Sequence, residues 1–149
     1  MTAVDELMVS LQRLGRLFAS RNVASRMTTA AGVEVSQQGA ALLRVLLREG
    51  QMAIAALAAA TPMEIAAVSR QVRVLEQAGA LRRTRSPDDG RVALLELTAD
   101  GRETAERIRA VGVQHLRTAL ASWSDTDERT LARLLTRLVD DLRATPIRP

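Results

Sequence analysis

The hydrophobic period of this chain changes at Leu81, and that change limits what the chain can fold into. Residues 64–78 repeat their apolar positions at helical spacing and stop at Gly79. Leu81–Arg85 and Arg91–Leu97 then form two short extended runs on either side of Ser86-Pro87-Asp88-Asp89-Gly90. Pro87 fixes one backbone angle, the aspartates can bond local amides, and Gly90 can take a positive φ. The segment predicts a β-hairpin attached directly to the end of a helix.

The rest of the chain reads as helix. Leu7, Leu11, Leu14 and Phe18 lie four, three and four apart, which predicts one amphipathic helix over residues 5–21. The stretch 28–36 reads as a loop. Ser36 caps a second helix that runs to Glu49 and is ended by Gly50. Residues 52–60 make a short alanine-rich helix, which Pro62 breaks before the helix of 64–78. Thr98 caps a long helix over roughly 99–121, with Ile108, Val111, His115 and Leu116 expected inside. Ser124 caps a last helix whose first turn holds Asp125, Asp127 and Glu128, where the helix dipole favours acids. Its expected buried stripe is Leu131, Leu134, Leu135, Leu138 and Leu142, and residues 144–149 are expected to fray. A short helix, a tight break, a second helix and a two-stranded hairpin follow one another in the layout of a winged helix-turn-helix.

Composition narrows the chemistry. With 47% apolar residues in 149, the chain can bury a core, but its only aromatics are Phe18 and Trp123. Leu, Val, Ile, Met and Ala must fill that core, which suits helix-on-helix packing. No cysteine is present, so disulfides, thiolate metal sites and thiol redox sensing are excluded. No stretch approaches the ~20 apolar residues of a membrane span, and no signal peptide is legible, which places the chain in the cytoplasm.

The net charge of +4 matters through its distribution. Six arginines lie between Arg70 and Arg91 against Glu76, Asp88 and Asp89, whereas both flanking regions are near balance. Every basic residue is an arginine, each with a planar fork that can grip phosphate or a guanine edge in two places. On a helical wheel of residues 64–78, Ile65, Val68, Val72 and Leu75 gather as a buried stripe. Ala66, Ala67, Arg70, Arg73, Val74 and Gln77 take the opposite side. Small residues near the helix start permit close approach to another surface, and the arginines project the same way. That is the chemistry of a helix entering a DNA major groove. A solvated amphipathic helix is the bland alternative, and the hairpin immediately downstream weighs against it.

These segments, in order, resemble the DNA-binding core of MarR-family transcription regulators. Val68-Ser69-Arg70, Leu75-Glu76 with Gly79, the basic run Arg82 to Arg85, Asp89-Gly90-Arg91 and Leu97-Thr98-Ala99-Asp100-Gly101 carry the resemblance. This motif core covers about 45 residues, and the helix order extends it to nearly the whole chain. Three positions depart from the family pattern. Met63-Glu64-Ile65 stands where a polar cap is common, which leaves capping to Glu64. Gly90 stands where a basic residue is usual, and Ala80 where leucine is typical.

The resemblance implies a mainly α protein with a small β-hairpin: a winged helix-turn-helix with N- and C-terminal dimerisation helices. It divides the chain into a dimerisation helix and loop (1–34), the DNA-binding region (35–98) and the C-terminal dimerisation helices (99–149). It implies a homodimer on double-stranded DNA, most often a repressor, responsive to a small-molecule effector, with no membrane partner. The wide aliphatic faces of the terminal helices support a dimer independently. Ser69, Arg70 and Arg73 are then expected in the major groove, and Arg91, braced by Asp89, in a minor groove. Arg83 and Arg85, two apart on one strand face, are expected on backbone phosphates. An effector cleft would draw on the first two helices and the helix after the wing, with a mostly aliphatic lining.

No catalytic group, cofactor or metal site is expected. His115 stands alone on an apolar stripe, Asp88 and Asp89 diverge on an extended segment, and no glycine-rich phosphate loop occurs. The remaining alternative is a winged-helix protein-interaction module, which would favour an acidic partner and show no preference among duplexes.

Overall fold

A computed structural model describes residues 1–148. Its elements are α1 (Ala3–Ala19), α2 (Arg21–Ala31), α3 (Gln37–Glu49), β1 (Met52–Ala53), α4 (Ile54–Ala59), α5 (Ile65–Gln77), β2 (Leu81–Arg85), β3 (Ala93–Leu97), α6 (Ala99–Ala119) and α7 (Asp125–Ala144). Two compact units are formed, Met1–Gly112 and Val113–Pro149. The fold is mainly helical with a small antiparallel sheet. Among the described residues, no helix is long and apolar enough to cross a membrane.

Local caps set most boundaries. Ser36 Oγ accepts the Gly39 amide at 3.0 Å, and Ser124 Oγ accepts that of Asp127 at 3.1 Å. Thr98 Oγ1 does the same for Gly101 at 3.1 Å, opening α6. At the start of α1, Thr2 and Asp5 cap each other reciprocally. Gly79, at φ 76, ends α5 in a Schellman arrangement: its amide bonds Glu76 O, and that of Ala80 bonds Leu75 O at 2.8 Å.

Several elements differ from expectation. The first helix ends at Ala19, and residues 21–31, expected to be in part loop, form α2. The alanine-rich helix begins only at Ile54, because Met52 and Ala53 form β1, pairing with Leu95 and Leu94. The hairpin is thus part of a three-stranded sheet in the order β1-β3-β2. β3 begins at Ala93, so Arg91 lies in the turn and not in the strand.

The core of the first unit is aliphatic. Leu42, Leu43 and Leu46 of α3, Leu57 of α4, Val68 and Val72 of α5, Leu95 of β3 and Ile108 of α6 are almost wholly buried. Of the expected α5 stripe, Val68, Val72 and Leu75 are inside, but Ile65 is 52% exposed. The buried positions of the helix run from Val68 to Leu75, and its first residue is left out. His115 and Leu116 are exposed, and Val111 is only half-buried. In the second unit, Leu134, Leu135 and Leu142 of the expected α7 stripe are exposed, while Leu131 and Leu138 are half-buried. On α1, Leu7, Leu14 and Phe18 are likewise exposed. The aliphatic faces of α1 and α7 are real, but a single chain leaves them largely uncovered.

Candidate nucleic-acid interface

The outer arc of α5 carries Ala66, Ala67, Ser69, Arg70 and Arg73. Ser69 is half-buried, and both arginines are exposed without an ion-pair partner among the described residues. Glu64 occupies the N-cap position, but its side chain makes no cap bond. The expected capping role is therefore absent. The helix is anchored elsewhere: the Ser36 hydroxyl donates to the Gln71 carboxamide oxygen at 2.9 Å, tying the start of α3 to the middle of α5.

The wing is joined tightly to α5. Thr98 donates its amide to Ala80 O at 3.0 Å and its hydroxyl to Gly79 O. Arg83 Nε reaches Glu76 Oε1 at 3.0 Å, linking β2 to the last turn of α5. Arg82 Nε reaches Glu96 Oε1 at 2.5 Å, directly across the strand pair. The first three contacts hold the end of α5 to the sheet, and the fourth ties the two strands to each other. The sequence shows the charges, but the pairing of Arg82 with Glu96 becomes visible only once the strand register is known.

At the wing tip, Ser86 Oγ accepts the amides of Asp88 and Asp89, and Arg85 Nη1 donates to Gly90 O at 2.8 Å. Asp89 Oδ1 accepts the Arg91 backbone amide at 3.0 Å. Asp89 thus acts on the backbone of Arg91 and leaves the guanidinium exposed and unpaired. Gly90 does not take the expected positive φ, and a side chain there would meet open space. The turn closes through amides accepted by Ser86 Oγ and Asp89 Oδ1, so it makes no demand for glycine. Of the seven expected contact residues, Ser69, Arg70 and Arg73 share the α5 arc, Asp89 and Arg91 sit at the tip, and Arg83 and Arg85 already have internal partners.

Two cavities adjoin these elements. One of ≈ 380 Å³ is lined by Val35, Gln71, Val74, Ala78, Asp100 and Arg107 among others, so it touches both α5 and α6. The other, ≈ 440 Å³, lies between Arg44, Leu47 and Arg48 of α3 and Arg102, Glu106 and Arg109 of α6. Burial lowers the pKa of the Arg44 guanidinium below its ordinary value. No group of histidines, cysteines or acids among the described residues is arranged to hold a metal ion.

Residues 35–93 match the model of the MarR family. The chain is also 31% identical, over 134 residues, to a putative transcriptional regulatory protein for the hcr operon of Thauera aromatica. That match covers 90% of this chain and 80% of the relative. The chain belongs to the MarR family. It is a transcriptional regulator with the winged DNA-binding fold of that family. A MarR family protein from Bacillus stearothermophilus shares the fold with a TM-score of 0.81 at 21% identity, over 96% of this chain and 99% of the other. The PcaV transcriptional regulator of Streptomyces coelicolor, solved with its natural ligand, aligns with a TM-score of 0.59 at 22% identity, over 93% of each chain.

Proposed function

We propose that this MarR-family chain is a repressor that binds a pseudo-palindromic operator as a homodimer and is released by a small molecule. The observation that carries the DNA-binding geometry is the α5 arc: two exposed, unpaired arginines beside small residues, on a helix fastened to a basic wing. In this reading Ser69, Arg70 and Arg73 enter the major groove. Arg91 reaches into a flanking minor groove, where narrow A·T-rich segments attract arginine. Asp89 fixes the backbone from which it projects. Arg83 and Arg85 meet backbone phosphates with the guanidinium N–H groups their internal bonds leave free, since each fork has five. The 380 Å³ cavity supports the effector reading, because a ligand there would touch Gln71 and Val74 on the reading helix itself.

Selection of duplexes from a random library tests this reading. The expected product is a two-fold sequence with half-sites about one helical turn apart. Arg70→Ala is expected to cost roughly 1–3 kcal/mol on that duplex and much less on random DNA. A compound screen against the selected complex then looks for release. A library with no enriched sequence, together with affinity for an acidic protein, would replace this reading with an interaction module.

A further inference from the structure

The first residue of α5 belongs by its spacing to the apolar stripe, but the core does not take it. Val68, Val72 and Leu75 are 0–3% exposed, whereas Ile65, which the wheel places beside them, is 52% exposed. It lies outside the core cluster that Met63, two residues earlier, packs against. Successive residues turn by roughly 100°, so Ser69 follows Ile65 at about 40° and Arg73 at about 80° on the same side of the helix. Ile65 therefore heads a row, Ile65, Ser69, Arg73, flanked by Ala66 and Arg70. Four of those five positions already belong to the surface assigned to the groove. A lone exposed apolar residue is ordinary on a protein surface. This one stands in the N-terminal turn, the part of a groove-inserted helix that meets base edges. The Cβ-branched side chain has no hydrogen-bonding atom, so it cannot serve a phosphate or a base amine. The one apolar group that bases display in the major groove is the thymine C5-methyl.

We propose that Ile65 reads a thymine through its C5-methyl group and so sets one position of each operator half-site. This rests on the placement of α5 in the major groove proposed above. The contact adds a preference that the arginines cannot supply, since guanidinium forks favour guanine and phosphate.

Uracil scanning of the selected duplex tests it, with the full chain and one thymine replaced by deoxyuridine at a time. Removing a methyl group from a buried contact is expected to weaken wild-type binding about four-fold, at one symmetric position per half-site. Ile65→Ala is expected to bind the thymine duplex several-fold more weakly and to bind the uracil duplex equally well. Its thermal melt is expected to match wild type, because the side chain is half exposed. Three results would overturn the inference: a selected site with no thymine in either half-site, a silent uracil scan, or a thymine preference that survives Ile65→Ala. If Arg70→Ala still weakens the selected duplex in any of these cases, the groove placement stands and only the Ile65 contact falls. If no duplex is enriched, both fall together.

Discussion

Gly101, in the first turn of α6, lies so close to the carbonyl of Ala80 that a methyl group on it would collide with that oxygen and its carbon. Two effects of Gly101→Ala therefore oppose each other. Helix propensity alone predicts a gain of up to about 1 kcal/mol. The collision is with backbone that Thr98 and Leu75 also hold through Ala80 O and N, so it cannot be relieved by a side-chain rotation. Overpacking of this kind typically costs roughly 1–3 kcal/mol, and the expected result is net destabilisation in urea. A more stable variant would show that the joint has room.

Gly90 predicts the opposite outcome. Its φ is not positive and no atom lies within 4 Å of a Cβ built there. Gly90→Ala is expected to shift stability by less than about 0.5 kcal/mol. Gly79→Ala, at φ 76, is expected to cost roughly 1–2 kcal/mol in the left-handed region. Parallel denaturation curves for the two variants check the contrast.

What was legible in the sequence was local. Ser36, Gly50, Gly79, Thr98 and Ser124 announce helix ends because their capping bonds span only a few residues. The helix α2 has no such signal: Ser20 makes no side-chain cap bond, and Asn22, Thr28 and Thr29 are weak helix formers. Its packing against α1 and α3, and Gly112 against the Met27 side chain, come from tertiary structure. The strand β1 is two residues long and is defined by pairing with Leu94 and Leu95, some forty positions away. A helical wheel sets Ile65 beside Val68, Val72 and Leu75, yet it is exposed, because the angle around the axis does not by itself fix burial. For the site, the charged residue types could be read, but the internal partners of Arg82, Arg83 and Arg85 depend on register.

The Arg83–Glu76 pair gives a graded test of the wing. Glu76 is half-buried and Arg83 exposed, and exposed pairs contribute about 0–1 kcal/mol. Arg83→Ala is therefore expected to change stability little. If Arg83 meets a phosphate, the variant weakens binding to all duplexes alike and lowers the salt slope by about one unit. An unchanged slope would restrict Arg83 to its contact with Glu76.

The start of α1 has a pH dependence of known sign. The backbone amide of Thr2, then its hydroxyl, bond the Asp5 carboxylate and lower its pKa from 3.8. A depressed folded pKa stabilises the cap above the unfolded value and loses that contribution as pH falls through the folded one. Thr2→Ala removes the hydroxyl bond and is expected to raise the Asp5 pKa part of the way back, as read by carboxyl NMR. A pKa that stays put would leave the backbone amide as the whole cause.

The uncovered helix faces predict the assembly. Phe18 on α1 is 70% exposed and Leu142 on α7 is 60% exposed, each on a face with other bare leucines. Apolar faces left bare in this way mark an interface. Sedimentation at micromolar concentration is expected to give about twice the 16.2 kDa chain mass. Phe18 and Leu142 are both exposed, so in Phe18→Glu and Leu142→Glu the helical signal and melt are expected to survive. Each variant is nonetheless expected to sediment as a monomer and to bind a single half-site, with the salt slope roughly halved, since the slope counts phosphates contacted. A wild-type monomer, or a glutamate variant that keeps the full slope on the two-fold duplex, would rule out these faces as the dimer contact.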